Sequence, residues 1–181
     1  FLESGPPPIV FTLGSSVVMV AKDFWHQSMD AVRRLGARAV LLPGPGRAAE
    51  LQVQLQASGT RDVIAIERAP HSLLFPRASV VVQQCGIGTL AQSLRSGRPM
   101  LAVPFSHDQP DNAWRARALG MARIVYPRRY RGPHAARELG RLLDDRTYAV
   151  AAERVAGSVR IEQGAAAACD AIERTFASQS R

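Results

Sequence analysis

The chain has 181 residues, with 23 Lys+Arg against 15 Asp+Glu and a formal charge of +8. Its 46% hydrophobic and 21% charged residues are ordinary globular values, which exclude a disordered or low-complexity chain, and the length suits one domain. No apolar run reaches the roughly 18 residues that cross a bilayer, and no basic region followed by a long apolar stretch marks a signal peptide.

After a leader at residues 1–7, Pro8-Ile9-Val10-Phe11-Thr12-Leu13 reads as a buried strand that runs into the turn Gly14-Ser15-Ser16. A helix follows over about Asp23–Leu35, closed by Gly36. Arg38–Leu42 is a second strand. Pro43-Gly44-Pro45-Gly46 breaks the chain, and the stretch to Gly59 reads as a loop with at most one helical turn. Asp62–Ile66 is a third strand, Ser72–Phe75 a short helix and Ser79–Val82 a fourth strand. A helix over Thr89–Ser96 is stopped by Gly97 and Pro99. Pro99–Val103 is a fifth strand, Pro110 opens a helix ending near Gly120, and Ala122–Val125 is a sixth strand. Helices occupy 133–144 and 147–176, and 177–181 form a tail. The strands are continuous Val/Ile/Leu runs and alternate with helices. This pattern predicts an α/β domain: a Rossmann-like, doubly wound parallel sheet with helices on both faces. Ligands of such sheets bind beyond the carboxyl ends of the strands. That rule selects four loops: 12–16, 67–71, 83–89 and 104–112.

The strongest of these is Gln83-Gln84-Cys85-Gly86-Ile87-Gly88-Thr89, where Gly86 and Gly88 let backbone amides approach a ligand and a helix N-terminus attracts phosphate. The same residues also read as a capping box, Thr89 paired with Gln92. In Pro104–Asn112, Asp108 and Gln109 offer acceptors and a donor suited to sugar hydroxyls, while helix capping by either residue is the plainer explanation. Thr12–Ser16 is a small-residue turn able to line a cleft. In Arg68-Ala69-Pro70-His71, Arg68 offers a flat stacking surface, and His71 is either a phosphate donor or a cap for the helix at Ser72. Cys85 and Cys169 are too few for a disulfide framework and suit a reducing cytoplasm. There is no CxxC or HExxH, hence no zinc motif. All basic residues but Lys22 are arginine, and the basic balance fits an anionic partner: a nucleotide, a nucleic acid, or none in particular.

From about Pro8 to Ala171 the chain resembles the C-terminal, nucleotide-sugar-binding half of a UDP-glycosyltransferase-type enzyme with the GT-B fold, of the bacterial natural-product and sterol kind. The residues that carry the resemblance are TLGSS at 12–16, APHS at 69–72, and VVVQQCGIGTLAQSLRSGRPMLAVPFSHDQPDNA from Val80 to Ala113. The resemblance implies a single donor-binding domain over 1–181, with the N-terminal acceptor domain outside it. It places Gln84, Gly86, Gly88, Thr89, Ser15 and Ser16 on the donor diphosphate. Arg68, Ala69, Pro70, His71 and Gln92 fall on the base and ribose, and His107, Asp108 and Gln109 on the sugar. It further implies a UDP- or dTDP-sugar donor and inverting displacement at the anomeric carbon without a metal or other cofactor. The general base would lie in the missing domain, so the isolated chain would bind donor without turnover. The setting would be cytoplasmic.

One departure stands out. Bacterial members of the family usually carry two histidines where this chain has Gln83 and Gln84. Glutamine can still donate a hydrogen bond but cannot become cationic, which forfeits roughly 1.5–3 kcal/mol of charge-assisted binding. A non-catalytic partner of a glycosyltransferase is therefore a rival expectation. A second rival is an NAD-type domain, because Gly86–Ala91 satisfies G-x-G-x-x-A, although that fingerprint belongs after the first strand of its unit. A nucleic-acid module is the third, on the arginines between Arg115 and Arg141, but aromatic content is only 6% and no recognised motif surrounds them. No nucleic-acid partner is expected.

Overall fold

The computed structural model describes residues 1–14 and 23–179. Strand β1 (Ile9–Thr12) is buried on both faces, as its unbroken apolar run requires. Ile9 and Phe11 enter one core and Val10 the other, by the two-residue alternation of a strand. The other strands are β2 (Ala39–Leu42), β3 (Val63–Ala65), β4 (Val80–Gln83), β5 (Met100–Ala102) and β6 (Ala122–Ile124). All pair in parallel, in the order β3-β2-β1-β4-β5-β6. Val10 lies opposite Val40 on one side and Val81 on the other. Chain order reverses between β1 and β4, and in sheets of this kind ligands bind at the carboxyl edge of such a switch point.

Helices cover both faces, as expected for a doubly wound sheet. On one face α1 (Phe24–Leu35), α2 (Arg47–Ala57) and α6 (Gly132–Asp144) pack Trp25, Val32, Leu51, Leu55, Leu139 and Leu142 onto Phe11, Leu41 and Val82. On the other, α4 (Ile87–Ser96), α5 (Gln109–Ala118) and α7 (Arg146–Arg160) pack Leu90, Ala113, Ala116 and Ala152 onto Met100 and Ala102. Leu74 of α3 (His71–Leu74) and Phe75 of the following 3-10 turn cover Val10, Val40 and Val81. The final helix, α8 (Gly164–Gln179), presents exposed Ile172 and Phe176. No described helix is long and apolar enough to cross a membrane.

Two expectations are corrected. The stretch between Gly46 and Gly59 holds an eleven-residue helix rather than a turn. Its buried stripe is only Ala48, Leu51 and Leu55, too narrow to stand out as a period, and its strong helix formers were the better signal. The helix expected over 147–176 is two helices broken at Ile161–Gln163. The Arg95 guanidinium reaches across from α4 to the carbonyls of Val159 and Arg160, at 2.9 and 3.3 Å, and so satisfies the free carbonyls at the end of α7.

Candidate functional site

Gln83 ends β4, and the chain turns into α4 through Gln84, Cys85 and Gly86. Cys85 takes a left-handed φ of 67°, unusual for a residue with a Cβ, and Gly86 follows in an extended conformation as the helix cap. The first intrahelical bond runs from Leu90 N–H to the Gly86 carbonyl at 2.9 Å. Among the described residues no side chain caps α4. Thr89 sits in the third helical position, so the Thr89–Gln92 capping box does not form: the left-handed turn at Cys85 starts the helix two residues ahead of Thr89. The amides of Ile87, Gly88 and Thr89 are left at the open end of a ten-residue helix, where backbone dipoles concentrate positive potential.

The Gln84 side chain lies beside this end, only 4% exposed, and its Oε1 has no partner among the described residues. Two glycines make room for it. A Cβ on Gly14, at φ +57° just past β1, would sit on Gln84 Nε2 and 3.2 Å from its Cδ; one on Gly86 would lie 3.2 Å from Nε2. The ends of β1 and β4 thus meet around a buried neutral amide at the switch point. Gln83, fully buried, faces the packing instead and donates to Ser93 Oγ at 2.9 Å and Met100 Sδ at 3.5 Å. Burial, with the Asp108 charge nearby, pushes the Cys85 thiol up to about 12. Ser15 and Ser16 lie outside the described residues.

The second loop follows β5. Asp108 occupies the cap position of α5, but its carboxylate makes no cap bond; Oδ2 accepts from Asn112 Nδ2 at 2.7 Å. Capping therefore does not account for Asp108, which remains exposed at the sheet edge. Gln109 turns inward: it is 4% exposed, and Oε1 accepts from the amides of Phe105 and Ser106 at 2.8 and 3.3 Å. His107 is exposed with φ 57°, and its Nδ1 lies 2.8 Å from Ser106 Oγ. Asn112, whose part the sequence reading missed, also donates to the Cys85 carbonyl at 3.0 Å and so spans the two loops. The available signal was its position four residues after Asp108, one turn along the same helix face.

The third loop follows β3. Arg68 and Pro70 are exposed, and Ala69 is half-buried. His71 begins α3 rather than capping it. Its ring stacks on Phe75 with centroids 4.4 Å apart, and burial lowers its pKa, which favours the neutral imidazole. Gln92 is half-buried on the second turn of α4.

No protein-family model matches the chain. It is similar to O-mycaminosyltylonolide 6-deoxyallosyltransferase of Streptomyces fradiae, 32% identical over 96% of this chain and 39% of that protein. Vancomycin aglycone glucosyltransferase of Amycolatopsis orientalis is 31% identical over 96% of this chain and 41% of its own. A sterol 3-beta-glucosyltransferase of Arabidopsis thaliana is 30% identical over 95% of this chain and 26% of its own. The chain thus spans about two fifths of the length of the first two relatives. Among solved structures, the glycotransferase of kitacinnamycin superposes with a TM-score of 0.82, at 25% identity over 94% of this chain and 43% of that one. The spinosyn rhamnosyltransferase SpnG complexed with thymidine diphosphate superposes at 0.76, with 20% identity over 93% of this chain and 45% of that one.

Proposed function

The chain belongs to the GT-B glycosyltransferases, and on that premise we propose that it is the nucleotide-sugar donor domain of an enzyme transferring a hexose to a hydroxyl of a small-molecule acceptor. The observation that carries this reading is the uncapped end of α4, facing the Gly14–Gln84–Gly86 cradle at the switch point. A pyrophosphate accepts hydrogen bonds from the amides of Ile87, Gly88 and Thr89 and lies along the helix dipole. The Gln84 amide, turned by half a revolution, presents its NH2 group in place of the unpartnered oxygen. Arg68, Ala69, Pro70 and His71 border the base, Gln92 reaches the ribose, and His107, Asp108 and Gln109 border the sugar. With Oδ2 committed to Asn112, Asp108 keeps its other oxygen for a sugar hydroxyl. Gln109, clasped to the loop amides, shapes the loop that presents Asp108.

In the reaction, the acceptor oxygen forms a bond to the anomeric carbon as the bond from that carbon to the β-phosphate oxygen breaks, with inversion. The electron pair leaves on the diphosphate, where the α4 amides stabilise it, so the step needs no metal or other cofactor. The acceptor proton passes to a base in a preceding acceptor domain, and this chain alone binds donor without turnover. The donor in this reading is a dTDP- or UDP-sugar; a structural neighbour of the same fold is complexed with thymidine diphosphate. The cytoplasmic setting is proposed on the two free cysteines, one of them exposed. The G-x-G-x-x-A stretch follows β4 rather than β1, which disfavours the NAD reading.

The buried neutral Gln84 favours one rival, a non-catalytic partner of a glycosyltransferase. Calorimetry with UDP and dTDP tests the donor site, and Gln84→His tests the rival. A gain of about tenfold or more in affinity shows a pocket otherwise competent for donor. Binding of neither nucleotide by the wild-type chain or the variant refutes the donor-domain reading.

A further inference from the structure

We propose that Asn112 is a positioning residue: its single side-chain amide ties the phosphate-binding turn at Cys85 to the sugar-facing loop at Asp108 and fixes the spacing between them. This inference rests on the donor-site reading above. Both loops are held in conformations their residues disfavour. Cys85 has φ 67° and His107 φ 57°, and neither is glycine. Strain of this kind persists only where the surroundings enforce it. The 104–109 loop has its own clasp in the two amide bonds to Gln109 Oε1. Among the described residues the 84–86 turn has none of that kind. Its peptide carbonyl at Cys85 points to Asn112 Nδ2 at 3.0 Å, and the second proton of the same NH2 group goes to Asp108 Oδ2 at 2.7 Å. Among the described residues this is the one side-chain hydrogen bond joining the two loops. Cys85 O immediately precedes the Gly86 cap, so the tether sets where the first amides of α4 aim. It also holds the carboxylate rotamer of Asp108.

The test separates positioning from mere stability. Asn112→Ala is expected to weaken dTDP or UDP binding by about tenfold. Asn112→Asp should weaken it further, because a carboxylate donates nothing and repels Asp108. In a Cys85→Gly background, where glycine holds the left-handed turn unaided, the loss from Asn112→Ala should shrink to under about threefold. A ligand-free arm uses the Cys85 thiol, fully buried in the wild-type chain. In a Cys169→Ser background, Asn112→Ala should speed labelling of Cys85 by a thiol reagent by about tenfold or more, as expected of a local opening. Val63→Ala, a small packing loss on the edge strand β3, serves as the comparison and should leave labelling of Cys85 slow. Unchanged affinity in Asn112→Ala overturns the proposal. So does an equal loss in the cysteine and glycine backgrounds, or labelling no faster than in Val63→Ala. Failure of the wild-type chain to bind either nucleotide sinks the donor-site reading instead, and labelling alone then decides whether the tether exists.

Discussion

Replacing Gly14 by alanine tests how the switch point is built. The residue sits at φ +57°, where a Cβ costs about 1–2 kcal/mol against glycine. The new methyl would also overlap Gln84 Nε2 and lie 3.2 Å from Cδ, and Gln84 is 96% buried, so its amide must leave its rotamer at about 0.5–1.5 kcal/mol. Together these give a loss of about 2–3 kcal/mol, or a fall in Tm of roughly 5–10 °C for a domain of this size. Calorimetric melting of four chains isolates the contact: wild type, Gly14→Ala, Gln84→Ala and the double variant. In the Gln84→Ala background only the backbone cost remains, so the two substitutions should couple by about 1 kcal/mol. Equal losses from Gly14→Ala in both backgrounds would refute the claim that this glycine makes room for the Gln84 amide.

Other perturbations reach the fold and the site separately. Glu138 is buried, bonded to Arg123, and lies 3.5 and 3.3 Å from Arg137 and Arg141 and 3.7 Å from His134. Glu138→Gln leaves those cations unmatched and should cost about 1–3 kcal/mol after discounting the exposed partners. Burial opposes ionisation of Glu138, but the Arg123 hydrogen bond and the charges of Arg123, Arg141 and His134 outweigh it and hold its pKa below the usual carboxylate range. Its ionised form therefore stabilises the fold fully above the ordinary glutamate value near 4.5, and that contribution is lost as pH falls through the lower folded value. Acid denaturation of Glu138→Gln should be correspondingly shallower, and an unchanged acid limb would contradict the assignment. Under native conditions a thiol reagent should titrate exposed Cys169 and spare buried Cys85, with both reacting after unfolding; rapid reaction of two thiols in the folded chain would contradict the burial.

The sheet was legible because strands covered on both faces must be apolar at every position, so β1, β2 and β4 stood out as runs. The four edge loops followed from parallel pairing alone. The cap of α4 was not legible. T-x-x-Q is a sound capping signal, but Cys85 enters the left-handed region, and nothing in a cysteine announces that conformation. The inward turn of Gln109 was equally hidden, since its acceptors are backbone amides of Phe105 and Ser106 rather than residues with a pattern. At the break after Arg160 the helix-end carbonyls are met by Arg95, sixty-five positions away in the chain and across a helix contact that local sequence does not encode.

The most direct measurement is a titration of the isotope-labelled chain with dTDP and with UDP, followed through its backbone amide resonances. The account predicts that the largest shifts fall on Gly86, Ile87, Gly88 and Thr89, with Gly14 and the Gln84 side-chain amide moving alongside. Shifts confined to the arginine-bearing face of α6, or no shifts with either nucleotide, would contradict it.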